Sequence, residues 1–129
     1  DFFNAGIYPD DGPAKKAISL SVPVRRGIRD EEYLGMLKKA LSETEERFKP
    51  DLILYNAGSD IMTGDPLGQL DVTPKGVIAR DEMVFAWAKR LNIPITMALS
   101  GGYQQSNAPV IADSIANLFD KKLIGPQSK

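Results

Sequence analysis

Two glycine-rich segments carry the side chains best suited to chemistry. The first reads Asn56-Ala57-Gly58-Ser59-Asp60 and continues as Gly64-Asp65-Pro66-Leu67-Gly68. The second reads Ser100-Gly101-Gly102-Tyr103-Gln104. Asp60 has three readings: a turn residue that satisfies loop backbone, a general base, or a metal ligand. Asp65 reads as structural, because Asp-Pro followed by Gly68 is turn chemistry. Tyr103 is either a rim aromatic or something sharper. Two preceding glycines let backbone approach a ligand closely, and a phenol there can donate to developing negative charge. The same glycines could cradle a phosphate, although no Lys follows them as in a P-loop.

Missing residue types narrow the chemistry further. The chain has no histidine and no cysteine. That excludes a Ser-His-Asp triad, a histidine base and an imidazole-rich metal site contained within this sequence. Disulfide scaffolds, Cys-based zinc fingers and thiol nucleophiles go with the cysteines. Sixteen basic against seventeen acidic residues leave a net charge of −1. Such a balance offers no basic field for nucleic acid or an acidic membrane. A length of 129 residues with 43% hydrophobic and 26% charged side chains suits one globular domain. No run approaches the ~20 apolar residues of a membrane span. Asp1-Phe2-Phe3-Asn4 lacks both the pattern of a signal peptide and an initiator Met.

The elements that must hold these side chains are legible as three strands and three helices. Ile18 to Val24 alternates apolar and polar residues, the period of a half-buried strand. Leu52 to Ala57 and Ile95 to Leu99 are short unbroken apolar runs that end at glycine-rich turns, as in central parallel strands. Asp30 is placed to cap a first helix, with an inward stripe of Leu34, Leu37, Leu41 and Phe48 and a stop at Lys49-Pro50. Thr73-Pro74 opens a second helix carrying Val77, Val84, Trp87, Ala88 and Leu91. A third starts near Asn107 to Pro109 and would bury Ile111, Ile115, Leu118 and Phe119. Strands alternating with amphipathic helices give an α/β fold with a parallel sheet. Loops that follow consecutive parallel strands emerge at one end of the sheet, where such folds bind ligands. Asp60 and Tyr103 are therefore expected to face a common cleft. The loop from Gly58 to Val72 is long for its kind, which also points to function.

Taken together and in order, these segments resemble the zinc-dependent histone deacetylase family. Within it they are most similar to class IV, the branch of histone deacetylase 11 and its plant and bacterial relatives. Ile7-Tyr8-Pro9, Asp30-Glu31-Glu32-Tyr33-Leu34, Arg80-Asp81-Glu82 and Ile111-Ala112-Asp113-Ser114-Ile115 with Asn117-Leu118 fit the same branch. The resemblance covers nearly the whole chain and implies an arginase/deacetylase-like three-layer αβα fold. It implies a catalytic zinc with Asp60 as one ligand, and Tyr103 as the phenol that binds the oxyanion. Tyr8 and Leu67 would line the acyl-lysine tunnel with Gly101 and Gly102. The implied reaction releases an acid from the amine of an acylated lysine, on a protein or a small amine, inside the cell in cytoplasm or nucleus.

The sequence also departs from that family. The remaining zinc ligands and the histidines of proton transfer have no counterpart here, and a catalytic zinc takes three protein ligands. The expectation is that residues 1–129 are the C-terminal portion, less than half, of one deacetylase-like catalytic domain. Alone, the chain would be inactive and would tend to self-associate through an exposed sheet edge. Two alternatives compete: a complete flavodoxin-like domain binding flavin or nucleotide, and a non-catalytic interaction module of deacetylase-like fold.

Overall fold

The computed structural model describes residues 1–4, 6 and 12–126. Along them run β1 (Phe2–Asn4), α1 (Gly12–Lys16), β2 (Val22–Val24), α2 (Asp30–Arg47), β3 (Ile53–Asn56), α3 (Pro74–Arg90), β4 (Ile95–Ala98) and α4 (Asn107–Asp120). The α/β alternation is as expected, and the three long helices end where Pro50, Asn92 and Gly125 predict. β1 and α1 are additions, too short to leave a periodic signature.

The expected single sheet is two separate parallel pairs. β1 pairs with β2, Phe2 opposite Val22 and Asn4 opposite Val24. β3 pairs with β4 from Ile53 opposite Ile95 to Asn56 opposite Ala98. The first expected strand is cut from Ile18–Val24 to three residues. Ile18 closes the turn after α1 by donating to the Lys15 carbonyl, and the Ser19 carbonyl accepts from Arg47. Alternation marks which residues could share a face; it does not show that a partner edge is there to pair with.

Thr73 caps α3 as predicted, its hydroxyl accepting from the Gly76 amide at 3.1 Å. Asp30 does not cap α2. It is the first helical residue, and its carboxylate accepts from the Thr73 amide at 2.7 Å and the Thr73 hydroxyl at 2.6 Å. The acid thus pins the start of α2 to the start of α3.

Two helix faces are rotated from expectation. α2 buries Tyr33, Leu37 and Ala40, leaving Leu34 and Leu41 half-buried and Phe48 exposed. α4 buries Val110, Ser114 and Leu118, leaving Ile111 half-buried and Ile115 and Phe119 exposed. Hydropathy misses the α4 face because Ser114 is on it, and Ser114 is buried only because a partner satisfies it.

The main core joins Val24, Ile28, Tyr33, Met62, Leu70, Val72, Val77 and Val110. Three of these come from the long loop after β3, which folds back through a bridge between Met62 and Val72. The loop is a packed element, and its rigidity positions the site.

Candidate active site

β3 and β4 run parallel, so their following loops leave the same end of the pair. Hydrogen bonds then stitch the loops together. Ala57 donates to the Ala98 carbonyl at 2.8 Å, and Ser59 donates its amide to the Gly101 carbonyl at 2.6 Å. Gln104 donates its side-chain amide to the Thr63 carbonyl at 3.2 Å. Asp60 sits inside this seam. A methyl group on Gly101 would overlap the Asp60 carboxylate, and one on Gly58 would fall 2.8 Å from its Oδ1. Gly101 is therefore required by close approach, whereas Gly102 is also required by its φ of +144°.

Asp60 is half-buried, and among the described residues no other side chain donates to its carboxylate. Burial pushes its carboxyl above the ordinary carboxylate range. The charge of Asp65 pushes the same way, while its own backbone amide and the charge of Arg80 oppose. An under-partnered carboxylate of this kind is a good oxygen donor for a cation.

Asp65 was expected to be a turn residue, and one of its oxygens is. Oδ1 accepts from the Leu67 and Gly68 amides, each at 2.9 Å. Its Oδ2 crosses to the other loop and accepts from the Tyr103 amide at 2.8 Å.

Behind the first loop lies a buried polar network that sequence reasoning did not assign. Arg80 donates to the carbonyls of Gly58 and Ala57 and, through Nε, to Asp81 at 2.9 Å. Asp81 also accepts from the Tyr55 hydroxyl and the Ser114 hydroxyl, both at 2.6 Å. Burial pushes the Tyr55 phenol far up. A signal was available: Arg80 and Asp81 fall between Val77 and Val84 at core spacing, where charges need partners.

The structure brings Asp60, Gly101 and Gly102 together. It ties the Tyr103 backbone to the same seam, with the side chain 57% exposed. Leu67 is 54% exposed, and its amide shares the Asp65 carboxylate with the Tyr103 amide. Tyr8 lies outside the described residues. An open cavity of about 770 Å³ separates the two strand pairs, walled by Phe2, Val22, Tyr33 and Leu54 and reached by Asp60. Tyr103 and Leu67 are not among its walls. The expected common cleft is thus shared by backbone, with the phenol presented outside the cavity. Among the described residues, no group of three or more His, Cys, Asp or Glu could hold a metal ion. Asp60 suits one oxygen ligand of a zinc, and the described residues do not complete the set.

Comparison with known proteins decides the family. The histone deacetylase domain matches residues 1–119. The chain belongs to the histone deacetylase family. It is 48% identical over 124 residues to "Histone deacetylase 2" of Arabidopsis thaliana, covering 96% of this chain and 32% of that protein. It is 36% identical over 107 residues to human "Histone deacetylase 1", covering 82% of this chain and 21% of that protein. The chain thus spans about a third or less of the length of these relatives. Among solved structures it matches the HD domain of HDA15 with a TM-score of 0.68 and 26% identity, over 96% of this chain and 37% of that one. It also matches an acetylpolyamine aminohydrolase from Burkholderia pseudomallei with a TM-score of 0.72. That second match, at 21% identity over 90% of this chain and 36% of the other, shows shared fold. The α/β arrangement of parallel strands and flanking helices is part of an arginase/deacetylase-type domain, which displaces the flavodoxin-like alternative.

Proposed function

We propose that this chain is the portion of a zinc-dependent lysine deacylase domain that supplies one metal ligand, Asp60, and one oxyanion donor, Tyr103. The observation that carries the reading is the seam: two loops of a deacetylase-family chain are hydrogen-bonded together around an under-partnered carboxylate. Tyr103 donates its hydroxyl to the charge that develops on the acyl oxygen as the amide is attacked. Asp60 would supply one ligand to the metal, and a bound zinc would polarise the carbonyl and acidify a water. Remaining ligands and the general base come from chain beyond these residues, since this sequence has no histidine. Leu67, Gly101 and Gly102 line the path along which the acylated chain passes. The substrate is an acylated lysine of a protein or a comparable small amine, inside the cell, and the branch is class IV. Its support is the motif set that runs from Ile7-Tyr8-Pro9 to Asn117-Leu118.

The test uses the full-length protein that carries this segment. Hydrolysis of an acetyl-lysine peptide should be zinc-dependent, and Tyr103→Phe should lower kcat about 100-fold or more, the scale of losing one oxyanion donor. Asp60→Asn should lower bound zinc measured by elemental analysis. The 129-residue chain alone should show no turnover with added zinc. Robust turnover by that chain, or wild-type kcat in Tyr103→Phe, would overturn the reading.

A further inference from the structure

Asp65 does more than its turn requires. A turn needs one oxygen, and Oδ1 serves it by taking the Leu67 and Gly68 amides at 2.9 Å each. The second oxygen reaches 38 residues along the chain to the Tyr103 amide at 2.8 Å. That carboxylate is buried, so its hydrogen bonds are not diluted by water. Its own backbone is fixed by donation to the Met62 carbonyl at 3.1 Å and by the following Pro66. On the receiving side the loop is fastened on either side of Tyr103, by the Gly101 carbonyl accepting from the Ser59 amide and by the Gln104 side chain on the Thr63 carbonyl. Between them, Gly102 takes a φ of +144° that only glycine adopts readily, and it has no side chain to hold the next peptide. The plane of the Gly102–Tyr103 peptide decides where the Cα–Cβ bond of Tyr103 points. Among the described residues, the hydrogen bond that fixes this amide is the one to Asp65.

We propose that Asp65 is the positioning residue for Tyr103, holding the peptide that aims the phenol. This rests on the reading of Tyr103 as the oxyanion donor. Asp65→Asn separates the two duties of the side chain. Its single oxygen is held by the two turn amides, so its NH₂ faces the Tyr103 N–H and repels it. Asp65→Ser keeps a local turn acceptor and is too short to reach across.

Both variants are assayed in the full-length protein on an acetyl-lysine peptide, beside Tyr103→Phe and the Asp65→Asn/Tyr103→Phe double variant. Thermal melts identify the variants that fold, and either one suffices. The expected result is a kcat about 10- to 100-fold lower with KM nearly unchanged, the scale of a displaced catalytic group. The double variant should be no slower than Tyr103→Phe, since a mis-aimed phenol has nothing further to lose. Hydrogen exchange at the Tyr103 amide should quicken about tenfold or more in either variant, a readout that needs no chemistry. Wild-type kcat in a folded Asp65 variant while Tyr103→Phe is impaired would overturn the positioning role and leave the Tyr103 reading standing. Unchanged exchange at the Tyr103 amide would overturn it too. Full activity of Tyr103→Phe would remove the Tyr103 reading and this role with it.

Discussion

The chain keeps Asp60 half-buried at a cost in stability. Burial raises its pKa, and the nearby Asp65 adds to the effect. A carboxyl whose folded pKa is raised lends stability below its unfolded pKa and loses that contribution as pH rises through the folded value. At neutral pH the ionised, half-buried group is therefore a cost. Asp60→Asn in this chain should melt above wild type at pH 7, and the gap should narrow as pH falls through the carboxylate range. Thermal melts across that range check it, and a gap that widens in acid would contradict the burial argument. At this scale the sequence was only partly legible. Asp60 and Tyr103 stand out by type and spacing, because a lone acid and a phenol beside glycines invite chemistry. Asp65 does not, since Asp-Pro-Leu-Gly explains one oxygen fully and nothing in a turn motif reports on the other.

The elements that hold the site are α3 and the two loops, and Arg80 fastens the first of those loops to α3. It joins the carbonyls of Ala57 and Gly58, three and two residues before Asp60, to Asp81 on its own helix. Asp81 in turn holds Tyr55 of β3 and Ser114 of α4. Arg80 and Asp81 are both buried, so removing one strands the other's charge. Arg80→Met should destabilise the chain by about 3 kcal/mol or more, the range for breaking a buried pair. Urea unfolding measures it, and a loss under 1 kcal/mol would place the network's weight elsewhere. The same network explains which elements were legible. Thr73-Pro74 announced α3 because capping is local. β3 and β4 were legible as apolar runs between breakers. The inward face of α4 was not, because Ser114 earns its burial from a partner 33 residues away in Asp81. Asp30 looked like a cap for the same reason in reverse: its true partner, Thr73, is remote in sequence.

At the scale of the whole molecule, the chain is a part of a deacetylase fold with surfaces that such a fold does not leave to water. Among the described residues each strand pair has unpaired edges, and the β3–β4 pair is covered on one face only. Tyr55 turns toward Phe85 and α3, their rings 6.4 Å apart, whereas Leu54 points the other way and is 72% exposed. Leu52, two residues before it, is also exposed, and the cavity of about 770 Å³ opens beside Leu54. Apolar strand faces with free backbone edges recruit other chains. The net charge of −1 offers little repulsion to prevent it. The isolated chain should therefore associate with itself in a concentration-dependent way, through the Leu54 face. Sedimentation velocity over a tenfold concentration range detects this. Leu54→Lys should weaken association by about tenfold or more, since burying a leucine is worth about 1.5–3 kcal/mol. Leu67→Lys serves as the control, because Leu67 is exposed on the loop away from the cavity walls. Equal effects of the two substitutions would mean general stickiness, and a monomer at all concentrations would mean that the open face is self-sufficient. Association lost only with Leu54→Lys locates the unmet surface on the side of the strands that carries Asp60 into the cavity.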